Sequence, residues 1–68
     1  MTRSADTRFR LRSLWDLGVV RAAYNDVGLR RLVRDGYAWQ RPVRGQPLKY
    51  DFVITAAGIE LADLIWSK

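Results

Sequence analysis

Nothing in this chain can staple it together. Its 68 residues include neither cysteine nor histidine, so disulfides and zinc, the usual supplements of very small scaffolds, are out of reach. A chain this short buries only about 60% of its unfolded surface and closes around one core. The expectation is a single domain over 1–68, held by close packing or self-association, with residues 1–6 frayed. The same absences remove thiol nucleophiles, histidine acid/base pairs and zinc chemistry. The chain therefore reads as a non-enzyme with no metal or cofactor and no evident small-molecule substrate. A cysteine-free chain suits a reducing, cytoplasmic compartment. No apolar stretch follows Met1-Thr2-Arg3-Ser4-Ala5-Asp6, and no uncharged run approaches the ~18 residues of a membrane span. The sequence thus predicts a soluble, unexported protein with no membrane contact.

Charge is distributed unevenly. Residues 1–50 carry eleven positive and four negative groups, and residues 51–68 carry one positive and three negative. The halves sum to +7 and −2, which predicts one electropositive side rather than a uniform solubility coat. Ten of the twelve basic residues are arginine. Arginine suits bidentate contact with phosphate and guanine, although a genome rich in G and C produces the same bias.

Along the chain, Leu11, Leu14, Trp15 and Gly18 share one face of a helix predicted over Arg8 to Leu17, with Arg8, Arg12 and Asp16 opposite. Thr7 or Asp6 can cap its start, and Gly18 can end it. Val19 to Asp35 again shows helical spacing. Val20, Ala23, Tyr24 and Val27 form one series, and Leu29, Leu32, Val33 and Gly36 another. The two are out of register, so a break is expected at Asn25, Asp26 and Gly28, and Asp35-Gly36 ends the second piece. Tyr37 to Val43 and Leu48 to Ile54 read as the arms of a β-hairpin around Arg44-Gly45-Gln46-Pro47. Tyr50, Phe52 and Ile54 give the second arm an apolar face, and Pro42 makes the first arm an edge or ends it early. Thr55 caps a last helix reaching Trp66, with Gly58, Leu61, Leu64 and Ile65 expected inward. Ile59, Ala62 and Trp66 form a second apolar stripe, predicted to pack on the first helix or to form a homodimer interface.

Three segments in order carry a resemblance: Leu29-Arg30-Arg31-Leu32-Val33-Arg34-Asp35-Gly36-Tyr37, then the basic hairpin, then Tyr50-Asp51-Phe52-Val53-Ile54-Thr55-Ala56-Ala57-Gly58-Ile59-Glu60-Leu61. Together they resemble winged helix-turn-helix transcription regulators of the multiple-antibiotic-resistance-regulator type, over about Leu29 to Ile65. The resemblance implies an α+β winged helix with two to three helices, a two-stranded wing and a C-terminal helix that often serves dimerisation. It implies that the helix ending at Gly36 is a recognition helix. The chain departs from the family between Gly18 and that helix, where a whole short helix is expected. Either that helix is reduced to a turn near Val19 to Ala22, or Val19 to Val27 is that helix and the recognition helix is short.

On this reading Arg30 and Arg34, one turn apart, face the major groove with Arg31 beside them and Arg21 and Asn25 further N-terminal. The wing adds Arg41, Arg44, Gln46 and Lys49 for phosphate or minor-groove contact. Solvated charge on a helix face and a plain hairpin tip are the ordinary alternatives. Arg8, Arg10 and Arg12 are weaker candidates, because they spread over two helix faces. Trp15 and Trp66 are expected in the core or an interface, Tyr24 under the helices and Trp39 exposed. Asp16, Asp26 and Asp35 are spaced by nine or ten residues and suggest no shared site. The expected function is transcription regulation on duplex DNA. The competing expectations are a small protein-binding inhibitor or adaptor of phage or mobile-element type on the same scaffold, and a basic protein occupying the nucleic-acid site of an acidic partner.

Overall fold

The computed structural model describes residues 3–66. They form α1 (Arg3–Leu17), β1 (Val19–Ala23), α2 (Val27–Arg34), β2 (Ala38–Val43), β3 (Gln46–Ile54) and α3 (Ala56–Trp66). The strands make one antiparallel sheet in the order β1-β3-β2, giving a small α+β domain. No described helix is long and apolar enough to cross a membrane.

Helix α1 starts at Arg3 rather than Arg8, so residues 3–6 are helical and Asp6 lies in its first turn. Met1 and Thr2 lie outside the described residues. The helix stops where predicted: the Gly18 N–H donates to the Leu14 carbonyl and its φ is 81°, a value that favours glycine.

The main correction concerns Val19 to Ala23, expected as helix and found as strand. Over so few positions a helical stripe through Val20 and Ala23 and a strand alternation through Val20 and Ala22 are hard to tell apart. Val20 and Ala22 turn toward the helices, while Val19, Arg21 and Ala23 are exposed. The partner decides between the two patterns. Val19 to Ala23 pair with Val53 to Lys49, which satisfies backbone groups along one side of β3 and suits two adjacent valines. Tyr24 consequently leaves the sheet instead of packing beneath the helices, and is 47% exposed.

Helix α2 forms after the expected break. The Asp26 carboxylate accepts from the Leu29 N–H at 3.0 Å and from the Arg10 guanidinium at 2.6 Å, so one side chain caps α2 and ties it to α1. Gly28 permits that approach, since a Cβ there would lie 2.9 Å from Arg10 Cγ. At the other end Gly36, with φ 89°, ends the helix, and the Tyr37 N–H donates to the Leu32 carbonyl.

The hairpin turn is tighter than predicted. Val43 pairs with Gln46, so Gln46 and Pro47 belong to β3 and only Arg44 and Gly45 connect the arms. β2 is an edge strand, and the pairing shifts between Pro42 and Val43, the irregularity that a strand proline requires.

All three helices contribute to a core on one face of the sheet: Leu11, Leu14, Leu29, Leu32, Ala38, Phe52 and Ala62. Each fully buried leucine or phenylalanine contributes about 1.5–3 kcal/mol. Helix α3 enters through a tight junction. Thr55 Oγ1 donates to the Gly36 carbonyl at 2.7 Å and accepts from the Gly58 N–H at 3.1 Å. A Cβ on Gly58 would lie 2.2 Å from the Tyr37 carbonyl oxygen. The Thr-x-x-Gly element is therefore a cap plus a close approach. Beyond it Leu61 and Ile65 pack against the core as predicted, but Leu64 turns outward and is 83% exposed.

Candidate nucleic-acid interface

The direction of each element sets the geometry. β1 runs from Val19, opposite Val53, to Ala23, opposite Lys49. The Tyr24 N–H then donates to the Leu48 carbonyl at 2.9 Å, so α2 starts beside the hairpin and returns to Ala38, opposite Ile54. Past Ala23 the sheet has no third strand, and 43–48 form the hairpin tip with Lys49 at its base. The start of α2 and the tip thus share one end of the molecule, which measures 40 × 26 × 18 Å.

At about 100° per residue, burying Leu29 and Leu32 sends residues 30, 31 and 34 away from the core. Arg30, Arg31 and Arg34 gather with Asn25 and Val27 around one open depression of about 330 Å³. Among the described residues Arg30 and Arg31 have no ion-pair partner. Arg34 reaches only its neighbour Asp35, at 3.4 Å and in solvent, a contact of negligible strength. These groups are available to an external anion.

The tip adds Arg44, Gln46 and Lys49, all exposed, around Gly45 with φ 79°. Arg44 and Lys49 have no ion-pair partner among the described residues. Gln46 occupies a strand position rather than a loop.

Arg21 and Arg41 depart from the expectation. The register sets Arg21 and Arg41 on either side of Asp51, all three on the sheet face away from the helices. Arg21 donates to both Asp51 oxygens, at 2.9 and 3.3 Å, and Arg41 Nε lies 3.8 Å from Oδ2. Hydrogen bonding to Asp51, then attraction to it, raises the Arg21 pKa further. The Asp51 carboxyl is lowered, chiefly by the hydrogen bond from Arg21 against opposing desolvation, with both arginines also attracting its charge. The nine predicted DNA-contacting residues therefore divide into a group on and before α2, a group at the tip, and a pair engaged elsewhere.

Arg8, Arg10 and Arg12 of α1 are also occupied. Arg10 holds Asp26, Arg12 holds Asp16, and Arg8 and Arg12 lie over the Trp66 ring at 5.8 and 5.3 Å. Asp16, Asp26 and Asp35 serve three separate arginines. Trp39 is exposed as expected, beneath Arg41. Of the stripe expected to pack on the first helix or on a second copy, Ala62 is fully buried in the chain's own core and Trp66 stacks on Trp15 of α1 at 5.7 Å. Only Ile59 of the three is left exposed.

Two features escaped the sequence reading. Asp51 was legible only as an outward position on its strand, because its partner Arg21 had been placed on a helix. Phe9 and Val27 are exposed and share a second depression of about 300 Å³ with Asp6, Arg10, Asp26 and Gly28. The segment before α2, expected as a helix or a turn, is β1, so the described residues hold one helix between β1 and β2. No protein-family model, curated protein or solved structure matches the chain.

Proposed function

We propose that this domain binds duplex DNA through α2 and the hairpin tip, as a small winged-helix regulator whose recognition helix is braced by α1 alone. The observation that carries this reading is the depression where Asn25, Arg30, Arg31 and Arg34 meet without a strong internal counter-charge. Guanidinium groups bind phosphate or the O6 and N7 of guanine bidentately, and asparagine pairs with adenine. A helix such as α2, about 10–12 Å across with its side chains, fits the width of a major groove, about 12 Å. The order of basic helix, basic hairpin and threonine-capped helix agrees with the resemblance, and the projecting tip suits phosphate or minor-groove contact.

The test is a fluorescence-anisotropy titration of duplex DNA across salt, with wild type and Arg30→Ala/Arg34→Ala. For wild type, log K falls with log salt at a slope near −0.9 per phosphate neutralised. The double change weakens binding by roughly 2–6 kcal/mol if both arginines read bases. Unchanged affinity would remove α2 from the interface.

One observation favours a second reading, that of a protein-binding inhibitor or adaptor: exposed Phe9 and Val27 border a common depression, where apolar contact would replace charge. That reading predicts stoichiometric binding to one protein, insensitive to salt.

A further inference from the structure

We propose that Asp51 confines the DNA footprint to α2 and the hairpin tip by hydrogen-bonding Arg21 and attracting Arg41 on the outer face of the sheet. This inference rests on the DNA-binding reading above.

Asp51 sits between the two arginines because its strand, β3, is the central one, and the register puts Arg21 of β1 and Arg41 of β2 directly opposite it. Arg21 spends both of its carboxylate-facing nitrogens on Asp51. Arg41 lies 3.8 Å from the same carboxylate and 5.6 Å from the centre of the Trp39 ring. To a guanidinium, a carboxylate and a phosphate oxygen offer the same recognition. Asp51, however, belongs to the fold and is always present. A DNA backbone approaching this face would compete with Asp51 for both arginines. It would also meet Asp51's own negative charge, whose side chain is only 14% exposed and would lose its partners. By contrast Lys49, two residues along β3 on the same face, has no ion-pair partner among the described residues. The edge of the footprint therefore falls between Lys49 and Asp51.

Asp51→Asn tests this directly, since a neutral amide cannot hold two guanidinium groups. In titrations of a 20-base-pair duplex across salt, the salt slope should steepen by about 0.9 for each phosphate newly held, up to about 1.8. Affinity at 0.1 M salt should rise roughly tenfold per phosphate. Adding Arg21→Gln and Arg41→Gln to Asp51→Asn should cancel the gain and return affinity to about the wild-type value, within roughly twofold. Asp51→Thr, suited to a strand, is the second variant should the asparagine form fail to fold by circular dichroism. If both foldable Asp51 variants keep the wild-type slope while Arg30→Ala/Arg34→Ala still weakens binding, the footprint inference is overturned and the DNA reading stands. A gain that persists in the triple variant also overturns it, because loss of negative charge would then act without the arginines. Absence of wild-type binding overturns both.

Discussion

The two ends of this sheet are built from different materials. At the end where Gly18, Gly36 and Thr55 meet, the chain is fixed mainly by its backbone: the Ile54 N–H donates to the Gly18 carbonyl, the Thr55 N–H donates to the Tyr37 carbonyl, and Gly58 passes against that same carbonyl too closely for any side chain. At the other end, where α2 begins and the hairpin projects, side chains carry more of the joint: Asp26 holds Arg10 beside the one Tyr24–Leu48 backbone bond, then come Arg30 and Arg31, without ion-pair partners among the described residues, and a two-residue turn. Backbone contacts tolerate almost no substitution, whereas charged side chains on a fixed frame exchange partners readily. The difference separates folding from binding along one axis of a single small sheet.

The strongest way to break that comparison is Gly58→Ala. Alanine favours a helix by up to about 1 kcal/mol over glycine, so an open site would be stabilised. Here the added methyl meets a backbone oxygen that cannot rotate away, and overpacking dominates with a net loss of about 2 kcal/mol. Urea unfolding gives the sign, and a more stable variant would show the junction to be loose. Next comes Asp26→Ala, which removes the α2 cap and Arg10's partner together. Loss of the cap costs about 1–2 kcal/mol, and freeing Arg10 adds a cation next to the proposed interface. Stability should therefore fall while DNA affinity holds or rises. A fall in both would mean that α2 itself had come apart, and the two ends would not be separable.

Legibility in the sequence followed the same division. The helix ends at Gly18 and Gly36, the hairpin and the Thr55 cap were readable because glycine, turn residues and capping side chains act through the local backbone. Among the candidate site residues, Arg30, Arg31, Arg34 and Asn25 were readable together because two buried leucines fix the outward face of one short helix. β1 was not readable, because its conformation comes from pairing with β3, some thirty residues away, and five residues fit either period. With Arg21 read on a helix, its pairing with Asp51 is hidden, and the cluster of Arg21, Asp51 and Arg41 emerges only from the strand register. For Ala62 and Trp66 the spacing leaves two coverings open, the first helix or a second copy. Spacing shows that a stripe is apolar, but the surface covering it, here the core and Trp15, is set by tertiary packing.

The smallest expected effect, and the one that sharpens the comparison most, is the acid dependence of the Asp51 cluster. Its carboxyl titrates below the ordinary range because the Arg21 hydrogen bond outweighs the cost of desolvation. A depressed folded value means that the cluster's contribution to stability is complete above the unfolded value of about 3.9 and is lost as pH falls through the folded one. Between pH 8 and about 5 nothing in the cluster titrates. The difference in melting temperature between wild type and Asp51→Asn should therefore stay constant over that range and shrink only below about pH 4. Because Arg21 and Arg41 stand more than half in solvent, added salt should shrink the difference as well. Thermal melts at two salt concentrations, each followed from pH 8 to 3, measure both effects. A difference already declining between pH 7 and 5 would assign the titration to another group, and Asp51 would no longer be what holds the two arginines.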